Sequence, residues 1–185
     1  MKTLKERLSG YKQTKYTPIK RTGLSYQQTY DFTHRCLKLC LFVYKRLTVA
    51  DQTARLVRDV IDFLLRRYHG YCIKENIGAH YFEAGLKHKE KTEFEHVIPA
   101  AVARDLLING RLTIAEALNV PTCKLSKKNH KILNSTKLGS STPDIEKFWD
   151  RYTQVLKVNI VTHQGDPVDT ANWDLEKHYS YFNIK

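Results

Sequence analysis

Acidic residues are in short supply: 19 Asp and Glu stand against 31 Lys and Arg in 185 residues, a net charge of +12. An excess of this size calls for a polyanionic partner. Long apolar runs are also missing. No stretch approaches the ~20 residues that a membrane span needs. The start, Met1-Lys2-Thr3-Leu4-Lys5-Glu6-Arg7, has no apolar segment behind it, so a soluble, cytoplasmic chain without membrane contact is expected. The four cysteines, Cys36, Cys40, Cys72 and Cys123, form no C-x-x-C pair, which speaks against a zinc ribbon or knuckle. Cys36 and Cys40 lie one helical turn apart in an apolar stretch and read as buried thiols, at home in a reducing compartment. No internal repeat is visible. What is present, 42% apolar residues, is enough for a true core, and the length fits one domain or one domain with a small helical extension.

The positive charge is concentrated. Residues 1–50 carry +9, 51–100 balance, 101–150 carry +3 and 151–185 balance. Residues 1–25 alternate Lys and Arg with Tyr, Thr and Gly without a helical or strand period, the pattern of an extended basic arm that lies along phosphates or enters a groove. Lys12, Lys15, Lys20 and Arg21 are its contact candidates. Apolar spacing then predicts a helix over 26–47, and a second over 51–69 capped by Thr48 or Asp51 and ended by Gly70. The two form an antiparallel pair. Arg55, Arg58, Arg66 and Arg67 on the second face either phosphate or solvent, the latter paired with Asp59 and Asp62.

Residues 79–83 and 93–98 read as two short strands of a hairpin closed by the basic loop Gly85 to Thr92. Pro99 opens a helix that Gly110 closes, and Thr113-Ile114-Ala115-Glu116 has the form of a capping box for another. A strand over 122–125 runs straight into a helix capped by Ser126 and reaching about Asn134. Beyond a Ser/Thr/Gly loop, a helix from Thr142 carries Ile145, Phe148, Trp149, Tyr152 and Leu156 on one side. A strand over 158–162, a Gln164-Gly165-Asp166-Pro167 turn and an aromatic end follow.

The sharpest local signal is Phe94-Glu95-His96-Val97-Ile98-Pro99, with His130 on the basic helix 34 residues after His96. A carboxylate and a distal imidazole can hold one divalent cation with open positions for a phosphate oxygen and water. The adjacent histidine, on the other side of the pleat, stays free of metal and can take a proton from the water.

At these residues the chain resembles the His-Me finger (ββα-metal, or HNH) endonucleases. In that family a strand carries an Asp-His, Glu-His or His-His pair followed by an apolar residue and a proline, and a second strand leads into a helix bearing the last metal ligand. Glu95-His96-Val97-Ile98-Pro99 matches the first element, and Cys123 to Leu133 the strand and helix. The likeness covers about residues 79–135. It implies His96 as general base, Glu95 and His130 as ligands of magnesium or manganese, and Asn134, one turn on, as the fallback ligand. The base-orienting asparagine would be Asn119 or Asn129. Products would be a 5′-phosphate and a 3′-OH. Zinc-binding Cys pairs that brace some relatives are absent, so helices and the C-terminal aromatic cluster would support the site.

The resulting expectation is an α+β fold. A basic DNA-contacting arm (1–25) and a helical region (26–70) precede a ββα-metal nuclease core (71–135) and a C-terminal α/β extension (136–185). Lys87 and Lys89 in the hairpin, and Lys124, Lys127, Lys128 and Lys131 around the finger helix, join the arm as phosphate contacts. Roughly half the chain lies outside the finger. This favours sequence-directed cleavage of double-stranded DNA, of the phage homing or restriction kind in a bacterial cell, by a nickase or a homodimer. The rivals are a non-catalytic basic DNA-binding protein, insensitive to metal, and an RNA- or junction-directed nuclease. The other histidines, His34, His69, His80, His88, His163 and His178, read as structural or exposed, with His80 the one near the site.

Overall fold

The computed structural model describes residues 25–48, 52–75, 79–87, 90–136 and 144–184. The basic arm, Asp51 as a cap and Lys89 lie outside them. Ser25 opens α1 (Tyr26–Tyr44) with a full capping box, its Oγ accepting from Gln28 N while the Gln28 side chain accepts from Ser25 N, which satisfies two of the otherwise orphaned amides. Helix α2 (Gln52–Glu75) packs back along it. The start of α1 meets the far part of α2 where Tyr26 and Tyr68 hydroxyls bond at 2.9 Å, so the pair is antiparallel. Gly70 does not end α2. It sits inside the helix without a positive φ, and the helix continues for a further turn.

The strands form one mixed sheet in the order β2-β3-β1-β4, with β1 Tyr81–Glu83, β2 Thr92–His96, β3 Thr122–Ser126 and β4 Ile160–Thr162. The architecture is α+β. The expected β1/β2 hairpin is absent because β3 lies between them, parallel to β1 and antiparallel to β2. A basic connection as short as 84–91 leaves pairing undetermined; the helices α3 (Ala100–Ile108) and α4 (Ile114–Leu118) carry the chain back so that β3 adds to both strands. Gly110, at φ +70°, makes the turn between α3 and α4 that residues with a Cβ resist. The Thr113–Glu116 capping box of α4 is present.

Ser126 ends β3 and caps α5 (Lys127–Ser135), accepting from Asn129 N. β2, β3 and α5 thus follow as two antiparallel strands and a helix joined to the second strand without a loop. The predicted helix after Thr142 is instead a run of turns leading into a π-helical segment, Arg151–Leu156. It drives Phe148, Trp149 and Tyr152 into the core, with the Trp149 ring edge-on to Tyr81 at 4.9 Å. A last helix, α6 (Leu175–Tyr181), seats His178 against the Tyr81 hydroxyl at 2.8 Å. Cys123 is buried, but Cys36 and Cys40 are half-exposed rather than buried thiols: Cys36 is one residue off Leu37, and Cys40, a turn on from Leu37, packs against the margin of the core. No described helix is long and apolar enough to cross a membrane.

Candidate functional site

Strand alternation divides the Glu95–His96 pair between the two faces of β2. Glu95 is buried and faces the layer formed by α5 and the π segment. Its Oε1 lies 2.5 Å from Arg151 Nη2 and its Oε2 lies 3.2 Å from His130 Nε2. The Arg151 guanidinium, 2% exposed, also reaches the carbonyls of Val97 at 3.4 Å and His96 at 3.5 Å. One cation therefore neutralises the carboxylate and ties down the end of the strand. Burial pushes the Glu95 carboxyl above its ordinary value, against the opposing pull of Arg151 and His130.

His96 faces the other way. Its Nε2 lies 2.9 Å from His69 Nδ1 on α2, and His69 Nε2 lies 3.2 Å from the carbonyl of Ala117 on α4. The Phe94 ring stands edge-on to it at 5.0 Å. Burial holds both imidazoles below their ordinary range, His69 at about 4 and His96 well below 6.5, with His69, Arg66 and Arg151 adding to the effect at His96. His69 is the residue missed in the sequence. It belongs to the buried stripe of α2, four residues after Leu65 and eight after Ile61, and a histidine on such a stripe is the signal that was there to read. His80 does lie close by, bonded through Nδ1 to Thr122 Oγ1 at 2.9 Å, and Thr122 is the cross-strand partner of His96.

The asparagines take other work. Asn129 donates from Nδ2 to Glu83 Oε1 at 2.7 Å, and Glu83 also accepts from Ser126 N at 2.8 Å, so this carboxylate on β1 clamps the first turn of α5 and thereby aims His130. Asn119 ends α4, with Nδ2 donating to Ala115 O and its own carbonyl 2.7 Å from His178 Nε2. Neither amide is bonded to His96; the ring that meets His96 is His69. Asn134 stands one turn beyond His130, with Nδ2 3.3 Å from its ring nitrogens.

Among the described residues no three His, Cys, Asp or Glu side chains gather as a metal-binding group. Glu95 and His130 form a pair. The 3.2 Å between Glu95 Oε2 and His130 Nε2 matches the roughly 3 Å edge between neighbouring ligands of an octahedral cation bound at ~2.1 Å, and an oxygen and an imidazole nitrogen form a donor set that such a cation accepts. The residues fit a two-ligand site.

Basic and aromatic side chains occur on the same strands, on α5 and in the stretch after β1. Lys87, Lys127, Lys128 and Lys131 are exposed. Lys124 of β3 is half-buried, with Nζ 5.6 Å over the Phe82 ring. Strand register places Phe82, Lys124 and Phe94 in one row across three strands, and Phe94 shares its face of β2 with His96. Lys12, Lys15, Lys20 and Arg21 lie outside the described residues, as does Lys89. On α2, Arg66 pairs with Asp62 at 2.6 Å and Arg58 reaches Asp105 at 2.9 Å.

Comparison with protein-family models, with curated proteins and with solved structures finds no match. Function must therefore be argued from the residues and their geometry.

Proposed function

We propose that the chain is a metal-dependent DNA endonuclease hydrolysing phosphodiester bonds, with β2, β3 and α5 serving as a ββα-metal finger. The observation that carries this reading is the convergence of Glu95 and His130 beside a second, differently placed histidine at the end of the same strand. β2 is one of the two edge strands of the sheet, so a phosphodiester lying along its edge can meet side chains from both faces. Glu95 and His130 would hold magnesium or manganese, which when bound offsets charge on the phosphate and on the departing 3′ oxygen. His96 accepts the proton of the attacking water, in a buried setting that lowers its proton affinity. Arg151 holds Glu95 in place and keeps its charge compensated.

The exposed lysines of α5 and Lys87 supply phosphate contacts, which give affinity and salt dependence with little sequence information. The chain outside the finger supports sequence-directed cleavage of double-stranded DNA, by nicking or as a homodimer.

The test is incubation of purified protein with duplex, single-stranded, branched DNA and RNA substrates, with magnesium, with manganese and with EDTA. Metal-dependent cleavage supports the reading and the preferred substrate sets its class. Binding without cleavage of any substrate by either metal leaves a basic nucleic-acid-binding protein.

A further inference from the structure

A chain of three groups from three elements runs behind the His96 ring. His69 Nε2 lies 3.2 Å from the Ala117 carbonyl and His69 Nδ1 lies 2.9 Å from His96 Nε2. A carbonyl oxygen only accepts, so the His69 nitrogen facing it carries a proton. In neutral imidazole the other nitrogen is then an acceptor. His69 Nδ1 therefore needs a donor, and the group that faces it is His96 Nε2.

We infer that His69 is a positioning residue that fixes the His96 proton on Nε2 and leaves the lone pair of His96 on Nδ1. The assignment does not depend on the charge of His96. Neutral, the ring has its lone pair at Nδ1; if it takes a proton, that proton goes to Nδ1, because Nε2 is already occupied and bonded. His69 is 3% exposed and packs against Tyr68, its ring 6.1 Å away, so the ring that accepts from His96 has little room to turn. The orienting group comes from α2 and is anchored on α4, outside the two strands and helix that bear the remaining site residues. The tautomer follows from geometry alone; its consequence for hydrolysis rests on the nuclease reading.

Nitrogen-15 NMR of the imidazoles in the full chain reads the tautomer directly. The inference predicts a protonated Nε2 and a bare Nδ1 at neutral pH for both His69 and His96. His69→Gln, whose amide oxygen can accept from His96, should keep that state at His96. His69→Phe should release it to a mixture of tautomers in a chain that still shows a dispersed amide spectrum. A His96 protonated on Nδ1 in the wild-type chain overturns the inference, and this reading needs no variant to fold. An unchanged His96 tautomer in folded His69→Phe overturns the role of His69.

Cleavage assays then separate the two readings. If the chain is a nuclease, His69→Phe lowers kcat by about tenfold or more with KM little changed, a part of the 10²–10⁴ that general acid–base catalysis contributes, and His69→Gln restores most of it. The predicted tautomer in a chain that cuts nothing supports the tautomer assignment and contradicts the nuclease reading.

Discussion

Arg151 Nη2 lies 2.5 Å from Glu95 Oε1, and both side chains are almost wholly removed from solvent. Removing one member of such a pair leaves an unpaired buried charge, which is strongly destabilising, whereas apolar replacement of both can be close to neutral. Arg151→Met should therefore lower stability in urea by ~3–5 kcal/mol. The double variant Arg151→Met with Glu95→Leu should recover much of that loss. Equal losses in the single and double variants would show that the guanidinium acts by filling space and not by charge.

The helix bearing His130 is held by a carboxylate on another strand. Glu83 accepts from Ser126 N and Asn129 Nδ2, so Glu83→Ala leaves both donors without this partner, at a cost of about 1–3 kcal/mol. Ser126→Ala removes the cap of α5 and should cost ~1 kcal/mol. Hydrogen exchange localised to 127–135 reports both. Protection that falls uniformly over the chain would contradict the clamp.

Acid should destabilise the fold through its buried histidines. His69 and His178 are held at about 4, below the ordinary 6.5, chiefly by burial. Between those values the unfolded chain binds protons that the folded chain refuses, so stability is fully present above pH 6.5 and falls as pH drops toward 4. His178 is bonded to the Tyr81 hydroxyl and to the Asn119 carbonyl. Urea titrations at several pH values should show a shallower decline in His178→Asn, whatever its absolute stability. An identical slope in the variant would assign the acid sensitivity to other groups.

If the chain binds DNA as proposed, the exposed lysines of α5 and the row Phe82, Lys124 and Phe94 beside His96 contribute differently to binding. Lys127→Ala and Lys128→Ala should weaken DNA binding across sequences and each reduce the slope of log K against log salt by about one. Phe82→Ala and Phe94→Ala should weaken binding with little change in slope, since an aromatic face releases no counterion. Filter binding at several salt concentrations distinguishes the two patterns.

Much of this architecture is written locally in the chain. Ser126 after a run of β-formers and before Lys127 to Leu133 marks a strand that turns directly into a helix, and the Thr113–Glu116 box marks α4; both are satisfied by contacts within four residues. Strand pairing is not local. Glu83 and Thr92 stand close in sequence, yet β3 enters between their strands because the 25-residue excursion through α3 and α4 brings Thr122 beside His96. The site divides in the same way. Glu95, His96 and His130 are visible from residue type and order, whereas Arg151 and His69 act from 56 and 27 residues away. His69 has a local signal, polarity on the apolar stripe of Ile61 and Leu65, whereas Arg151, beside Asp150, has none.

Conversion of supercoiled plasmid and of phage or bacterial genomic DNA, with magnesium, manganese or EDTA, tests the central claim most directly when wild type and His96→Ala are run together. The account predicts nicking or linearisation that EDTA stops and that His96→Ala reduces by about 10² or more while DNA binding persists. Cleavage by His96→Ala at the wild-type rate, or DNA binding by wild type with no cleavage under either metal, would contradict it.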